Sequence, residues 1–540
     1  MSRRRWLKSA FGEAVLRTAS VGRFEDRVLD RLDDMPLFDR PVDDEIASYA
    51  LDSDQRRGIV LFPMVQGRRG IGSWPFRYGV FAHAFRTRGY EPIVLLCDSD
   101  LYACFQKQSD ARAYPYCAQC HRAGQRLLNG FGLDGTTIES TLGEGYEPPP
   151  LETVGETYRD VPVENLALAS VKRDLLKSRV DVEDPAQRTA LDEYRRSTTI
   201  LADAADRLFE EHDLAAVLTM DASYIYGGVF MHKARAHGVP AYQFGTGVDE
   251  RMILFGRADN RTIHPAMAEE SFIEECMRTE LTPFEESQLE DIMERRESGV
   301  GVLDPVANAK TSLQSADGDT VIGLFTNLPY DAGLENTNIV FEDMFEWVRT
   351  TVDILGDRTD VQVVLKPHPA EAAFGFEEPT ATKISEMFPA PPDNLLILPP
   401  DTAVNPYKFI RDIDLGLVYR STIGLEAAYR GVPVVVGADT DYRNLGFTFD
   451  PNSVDEYESM VSDPASLEMS AEMRALARRY AYALFVAQQV PLPAMHSEDG
   501  SLLTHEEIAN DAFFDLVVDQ IIAGEPVTRL RRWAPTARGE

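Results

Sequence analysis

Two segments decide the fold of this chain: VQVVLKPHP (361–369) and DLGLVYRSTIGLEAAYRGVPVVVG (414–437). Each begins with a short apolar run bounded by turn residues, which is the pattern of a buried parallel strand. In the second segment a helical spacing follows Ser421 and Thr422, and another apolar run closes at Gly437. The two segments therefore predict strands and a helix of a parallel α/β sheet.

Polar side chains follow both strands at the point where each strand ends. The first strand is followed by Lys366 and His368, and the second by Ser421 and Thr422. Open α/β sheets bind ligands at the carboxyl ends of their strands, and helix N-termini, hydroxyls and cations all suit phosphate. The pattern favours a site for a nucleotide diphosphate. The alternative is an ordinary strand–helix–strand unit in which a hydroxyl only caps the helix.

A family resemblance rests on KPHP (366–369) and STIGLEAAYRGVPVVVG (421–437). These motifs resemble the second half of GT-B glycosyltransferases of the capsule or surface-polysaccharide type, with CDP-glycerol glycerophosphotransferases as more distant relatives. The resemblance covers roughly residues 320–450. It implies that His368, Ser421 and Thr422 face the phosphates and sugar of a nucleotide-sugar donor, with Lys366 close by.

Further donor-binding candidates surround these motifs. In the second half they are Asn327 after the strand 320–326, Glu426 in the first turns of the helix, Gly437, and Tyr442 and Arg443 in a loop that closes over the donor in the resembled family. In the first half a glycine-rich loop after the strand 58–64 holds Arg68, Gly70 and Gly72. Glycines let a ligand approach the backbone closely, and an arginine suits a phosphate or an acidic sugar.

A carboxylate in the first half is the candidate catalytic base. Sugar transfer needs a base to take the proton of the acceptor hydroxyl. Asp221 follows the strand 214–220 and is our candidate, with Asp98 and Asp100 as rivals. The alternative for Asp221 is an N-cap of the next helix.

Four of the five cysteines lie close together in the sequence: Cys97, Cys104, Cys117 and Cys120. A Cys-x-x-Cys pair with two more thiols nearby predicts a structural zinc site, and an iron–sulfur cluster is a second option. The motif Cys-x-x-Cys-His is also the attachment pattern of haem c, which requires export, so we expect no haem. The remaining alternative is a set of buried free thiols.

The composition is strongly acidic and poor in lysine. The formal net charge is −34, and 9 of the 54 basic residues are lysine. Acidic, lysine-poor surfaces suit high salt, so we interpret the chain as a protein of a halophile, and we expect no nucleic-acid partner. No secretory signal and no apolar run of ~20 residues is evident, so we expect a cytoplasmic protein.

The first 24 residues run against this acidic trend. They carry basic residues beside Trp6 and Phe11, and basic residues also surround Trp533 near the other end. A basic amphipathic segment predicts weak peripheral contact with the inner face of the cell membrane. The alternative is a disordered start with incidental charge.

The predicted fold class is α/β, with two Rossmann-like domains facing a cleft as in GT-B proteins, a helical insertion and C-terminal bracing helices. The predicted segments are 1–57, a basic extension; 58–300, an acceptor domain with an insertion at about 160–212; 301–490, a donor domain; and 491–540, a helix and basic tail. The predicted function is transfer of a sugar from a nucleotide sugar to a surface-glycan or lipid-linked acceptor. Alternatives on this fold are a nucleotide-sugar 2-epimerase and a non-catalytic nucleotide-sugar-binding component of a glycan assembly complex.

Overall fold

The chain forms two compact units. The computed structural model describes residues 42–66, 74–98, 100–105, 113–248, 252–257, 270–298, 320–330, 338–368, 371, 379–399, 402, 405–491 and 501–528. The N-terminal unit takes the described residues of 42–246, 252–257 and 490–528, and the C-terminal unit takes those of 247–248 and 270–489. The basic segments at both ends of the sequence lie outside the described residues.

The N-terminal unit is built on a seven-stranded sheet with the order β12-β6-β5-β4-β1-β2-β3. The strands are β1 (Gly58–Phe62), β2 (Tyr90–Leu96), β3 (Gly135–Thr137), β4 (Leu214–Thr219), β5 (Ala241–Thr246), β6 (Met252–Arg257) and β12 (Val490–Pro491). Strands β1 to β5 pair in parallel, whereas β6 pairs antiparallel with both β5 and β12. The buried parallel strands are nearly continuous apolar runs, as covered parallel sheets require.

Helices cover this sheet and fill its core. They are α1 (Asp44–Ser48), α2 (Trp74–Thr87), α3 (Ala113–Gly130), α4 (Ile138–Leu142), α5 (Val163–Leu175), α6 (Pro185–Glu211), α7 (Ile225–His237), α16 (His505–Ala509) and α17 (Ala512–Ala523). The last two helices pack on α2, where Phe514 and Val517 join Phe81 in one apolar core. The predicted C-terminal bracing helices are therefore confirmed, and α5 and α6 form the predicted helical insertion.

The C-terminal unit has a five-stranded parallel sheet with the order β11-β10-β7-β8-β9. The strands are β7 (Thr320–Phe325), β8 (Val361–Lys366), β9 (Leu395–Ile397), β10 (Leu415–Val418) and β11 (Val434–Val436). The helices are α8 (Glu270–Arg278), α9 (Pro283–Ser298), α10 (Met344–Leu355), α11 (Thr380–Met387), α12 (Pro406–Phe409), α13 (Ile423–Tyr429), α14 (Val454–Ser462) and α15 (Ala471–Tyr482). Helix α15 continues into a π-helical turn, Ala483–Ala487.

The predicted fold class, α/β with two Rossmann-like units, is confirmed by these two sheets. The strand after residue 414 and the helix after Thr422 both form where the sequence predicts them. The elements that the sequence did not predict include helices α3 and α8 and strand β6. In the part of the chain that the structure describes, no helix combines the length and hydropathy needed to cross a membrane.

Candidate functional site

The sheet of the C-terminal unit brings the two sequence motifs together. Strand β7 lies between β8 and β10, with Phe325 opposite Lys366 on one side and opposite Val418 on the other. Because parallel strands end at one edge, the residues that follow β8 and β10 meet there. A cavity of about 80 Å³ opens at this edge. Its lining includes the predicted residues Lys366, His368, Ser421, Thr422 and Glu426.

The cationic end of the pocket is buried. Lys366 is 2% exposed, although its ammonium carries a full charge in water. Glu371, which was not predicted, interacts electrostatically with Lys366 and is equally buried. Burial raises the pKa of Glu371, while hydrogen bonds from Thr380 and the charge of Lys366 oppose the rise. A carboxyl in this position balances part of the lysine charge from the protein side.

Ser421 is held in place by a network behind it. Asn327 donates its amide to the Arg420 carbonyl and accepts from the Arg420 N–H at 2.9 Å. The Arg420 side chain pairs with Asp441 at 2.7 Å. The Tyr442 hydroxyl donates to the Ser421 carbonyl at 2.6 Å. These contacts fix the backbone of residues 420–421, so the Ser421 hydroxyl is presented from a rigid turn.

Helix capping does not explain the positions of the Ser421 and Thr422 hydroxyls. Thr422 occupies the N-cap position of α13, but its side chain makes no capping hydrogen bond. The Ser421 hydroxyl accepts from the Ile423 N–H at 3.4 Å, which is long for a hydrogen bond. Both residues line the pocket, so the capping alternative leaves their placement unexplained.

Glu426 forms the anionic side of the pocket. It is 2% exposed and pairs with Arg296 of α9 at 2.5 Å. The Arg296 guanidinium also lies over the ring of Tyr407, a second pocket-lining residue, at 5.2 Å. Arg296 was missed by the sequence analysis because it lies far from Glu426 in the chain, and no local pattern links them.

Four predicted donor-binding residues do not line this pocket. Asn327 and Tyr442 support the 420–421 backbone as described above. Gly437 packs against the indole of Trp347, where an added Cβ would come within 2.7 Å of Nε1. Arg443 donates to the Pro451 carbonyl and is buried. A direct donor contact for these residues stays a prediction, and so does that of Arg68, Gly70 and Gly72, which lie outside the described residues.

The candidate bases lie in the N-terminal unit. Asp221 follows β4, and its Oδ1 accepts from the Ser223 N–H at 3.0 Å. The N-cap of α7 is Tyr224, so the Asp221 carboxylate makes a local hydrogen bond ahead of the helix and does not cap it. Asp98, which follows β2, lies 3.7 Å from His121 Nδ1. The identity of the base stays a prediction, and Asp100 remains a rival.

The structure does not gather the four cysteines of the predicted zinc site into one group, and a structural zinc stays a prediction. Among the described residues, which include Cys97, Cys104, Cys117 and Cys120, no group of three or more metal-ligating side chains is present. Cys117 and Cys120 lie on helix α3, whereas the Cys104 thiol accepts from Gln66 at 3.4 Å. Burial raises the pKa of the Cys97 thiol to about 11.

Comparisons with known proteins return weak structural likenesses. No family model and no curated protein sequence matches the chain. Similar solved structures include the β-Kdo 2,4 transferase KpsC of Thermosulfurimonas dismutans, at 14% identity over 49% of this chain and 79% of that one, with a TM-score of 0.33. The spinosyn rhamnosyltransferase SpnG with thymidine diphosphate and the UDP-GlcNAc 2-epimerase of Neisseria meningitidis each show 11% identity over 79% of this chain and 96% of theirs, with TM-scores of 0.27 and 0.26. Similarities of this size do not assign a function.

Proposed function

We propose that the protein is a glycosyltransferase that moves a sugar from a nucleotide-sugar donor to a hydroxyl of a surface-glycan or lipid-linked acceptor. One observation carries the proposal. A buried lysine, an imidazole, two hydroxyls and a carboxylate, contributed by segments far apart in sequence, line one pocket at the carboxyl edge of a parallel sheet. Such a set offers charge and donors to a phosphate and an acceptor to sugar or ribose hydroxyls.

The proposed reaction breaks the bond between the anomeric carbon and the donor phosphate. The acceptor oxygen forms the new bond to that carbon, and its proton passes to a base, for which Asp221 is the candidate. Negative charge develops on the departing phosphate, where Lys366 and His368 would stabilise it and Ser421 would donate a hydrogen bond. Donors aimed at developing charge in a water-poor pocket contribute most to such a step.

The first experiment is a ligand screen by thermal shift in molar salt. We expect a nucleoside diphosphate or a nucleotide sugar to raise the melting temperature, because a ligand at 100 times its Kd stabilises by about 2.7 kcal/mol. Turnover of a donor without acceptor would favour an epimerase. Binding without turnover with any acceptor extract would favour a non-catalytic protein, and no binding by any nucleotide would overturn the proposal.

The second experiment replaces His368 by alanine. We expect kcat to fall by ~10²–10³-fold, because one donor to the charge that develops in the transition state is lost. The melting temperature should change little, since His368 is half-buried at the pocket wall. His212→Ala, which removes a half-buried imidazole at the end of α6, serves as the control. An unchanged kcat in folded His368→Ala protein would end this assignment.

A further inference from the structure

Arg296 does not line the pocket, but it contacts two residues that do, Glu426 and Tyr407. Its Nη2 and Nε both donate to Glu426 Oε1, at 2.5 and 3.2 Å. The side chain is 14% exposed, and it reaches the pocket from helix α9, which precedes every strand of this sheet in the chain. Arg296 therefore holds the carboxylate of Glu426, which shares the described lining of the pocket with the basic side chains of Lys366 and His368.

Burial gives this ion pair a chemical role. A carboxylate that is removed from water without a counter-charge takes up a proton, because desolvation disfavours its charged form. Arginine stays protonated at every pH at which proteins are folded, so it is a permanent counter-charge. The charge of Arg296 therefore favours the ionised form of Glu426 at a position that lines the pocket.

Two aromatic rings fix the arginine itself. The guanidinium lies 5.2 Å from the ring centre of Tyr407 and 4.7 Å from that of Phe485. Contacts of this kind stabilise a cation most when it is shielded from water. Because Tyr407 also lines the pocket, Arg296 sets the position of two neighbouring lining residues at once.

A purely mechanical role for the ion pair is already filled by other residues. The next residue of α9, Glu297, pairs with Arg411, which follows α12, and with Arg430 at the end of α13, and thereby ties α9 to two other segments of the unit. Nearer the start of α9, Glu286 and Glu290 both pair with Arg478 of α15. Helix α9 is thus anchored without Arg296, whose pair is the one that reaches a pocket-lining carboxylate.

We infer that Arg296 is a positioning residue for donor binding: it holds Glu426 in place and ionised, so that the carboxylate can accept hydrogen bonds from hydroxyls of the bound nucleotide sugar. The inference rests on the proposed function and names a helix outside the pocket on which donor affinity depends. Its signature is a pH dependence that appears only when the arginine charge is removed.

The test compares nucleotide affinity across pH in four proteins. UDP, CDP, dTDP, GDP, ADP and CMP are titrated calorimetrically into the wild type at constant salt, and the tightest binder is carried forward to Arg296→Met, Arg296→Lys and Arg478→Met. We expect Arg296→Met to bind ~10-fold or more weakly at pH 7.5, because a hydrogen-bonded charge is lost. The ratio of its Kd to that of the wild type should grow as the pH falls to 5.5, because a buried carboxyl that has lost the charge of its arginine takes up a proton more readily.

The other variants separate positioning from stability. Arg296→Lys should restore a pH-independent ratio, since it restores the charge. Arg478→Met removes an ion pair with Glu286 of α9, the helix that carries Arg296, together with the stacking of the Arg478 guanidinium on Tyr429. This variant should leave the Kd unchanged. If Arg296→Met does not fold, Arg296→Gln provides the same neutral comparison.

The outcomes distinguish the inference from the function on which it rests. Wild-type protein that binds a nucleotide, with the same Kd and pH dependence in the neutral Arg296 variant, would overturn the inference and leave the proposed function standing. Wild-type protein that binds none of the six nucleotides would overturn the donor site itself, and with it the role of Arg296.

Discussion

His83 is a fully buried imidazole in the N-terminal unit, held between two basic side chains. Its Nδ1 lies 2.8 Å from Arg86 Nη2, and its Nε2 lies 3.1 Å from His505 Nδ1. Because arginine can only donate, Nδ1 accepts and the ring proton sits on Nε2, which donates to His505. Burial, and then the charge of Arg86, lower the pKa of His83 to about 3.

The lowered pKa of His83 predicts that acid destabilises the protein. In the unfolded chain His83 takes up a proton near pH 6.5, and in the folded chain only near pH 3, so between these values the unfolded state binds more protons. Stability from this group is therefore complete above about pH 6.5 and is lost as the pH falls. Between pH 7 and 5 the loss amounts to about 2 kcal/mol.

We expect His83→Gln to lose less stability than the wild type over that pH interval, because glutamine does not titrate. Denaturant unfolding at pH 7, 6 and 5 and at constant ionic strength measures the difference. Equal pH dependence of the two proteins would show that His83 takes up its proton at the same pH in the folded and unfolded states.

At the scale of elements, the turn between β10 and α13 depends on Asn327, which follows β7. Asn327→Ala removes both hydrogen bonds to the Arg420 backbone. We expect nucleotide binding to weaken by ~10-fold and the free energy of unfolding to fall by about 1–3 kcal/mol, because buried backbone groups lose their partner. Isothermal titration and denaturant unfolding give the two numbers.

The matched control is Asn394→Ala at the start of β9. Asn394 also clamps the backbone with its side-chain amide, donating to Leu355, Arg358 and Val361 carbonyls at 2.8–3.2 Å. We expect the Asn394→Ala protein to lose as much stability as the Asn327→Ala protein and to keep the nucleotide affinity of the wild type. If both alanine variants bind nucleotide as tightly as the wild type, Asn327 does not support the binding site.

Packing between β11 and α10 explains the glycine at 437. A Cβ there would lie 2.7 Å from Trp347 Nε1 and 2.8 Å from Cδ1, so the buried indole must move. We expect Gly437→Ala to cost about 1–3 kcal/mol of stability. In Gly416→Ala the new Cβ has no neighbour closer than 3.5 Å, so little change is expected. Thermal unfolding compares the two; a Gly437→Ala protein as stable as wild type would contradict the packing argument.

The apolar runs predicted the parallel strands, because strands that are covered on both faces need a continuous apolar sequence. The polar residues at the strand ends predicted the pocket, because parallel strands end at one edge of the sheet. Local patterns did not reveal Arg296, whose role depends on a tertiary contact with Glu426. The cysteine spacing predicted a metal site, and for that reason helix α3, which carries Cys117 and Cys120, was not predicted. Strand β6 was missed because a run of six residues carries little periodic signal.

The whole molecule carries a net charge of −34, with 88 acidic and 54 basic residues. At low ionic strength this charge repels itself and favours expansion of the chain. Raising the salt from about 0.1 to 1 M shortens the Debye length from ~10 to ~3 Å, which screens most of that repulsion.

We therefore expect the melting temperature to rise steeply as KCl is raised from 0.1 to 1 M and to level off beyond it. Sucrose of equal osmolality is the control, because it is excluded from the protein surface without screening charge. A melting temperature that responds equally to sucrose and to KCl would argue against charge repulsion as the cause.

The core of the N-terminal unit contains residues from both ends of the described chain: Val60 and Phe81 pack in the same cluster as Val490, Phe514 and Ile521. On the ribosome, the early strands emerge well before the residues that cover them, because the entire C-terminal unit is translated in between. Until then an apolar surface is open to chaperones or to aggregation. The C-terminal unit, contiguous from residue 270 to 489 among its main elements, has no such delay, so the half that is translated second can complete its fold first.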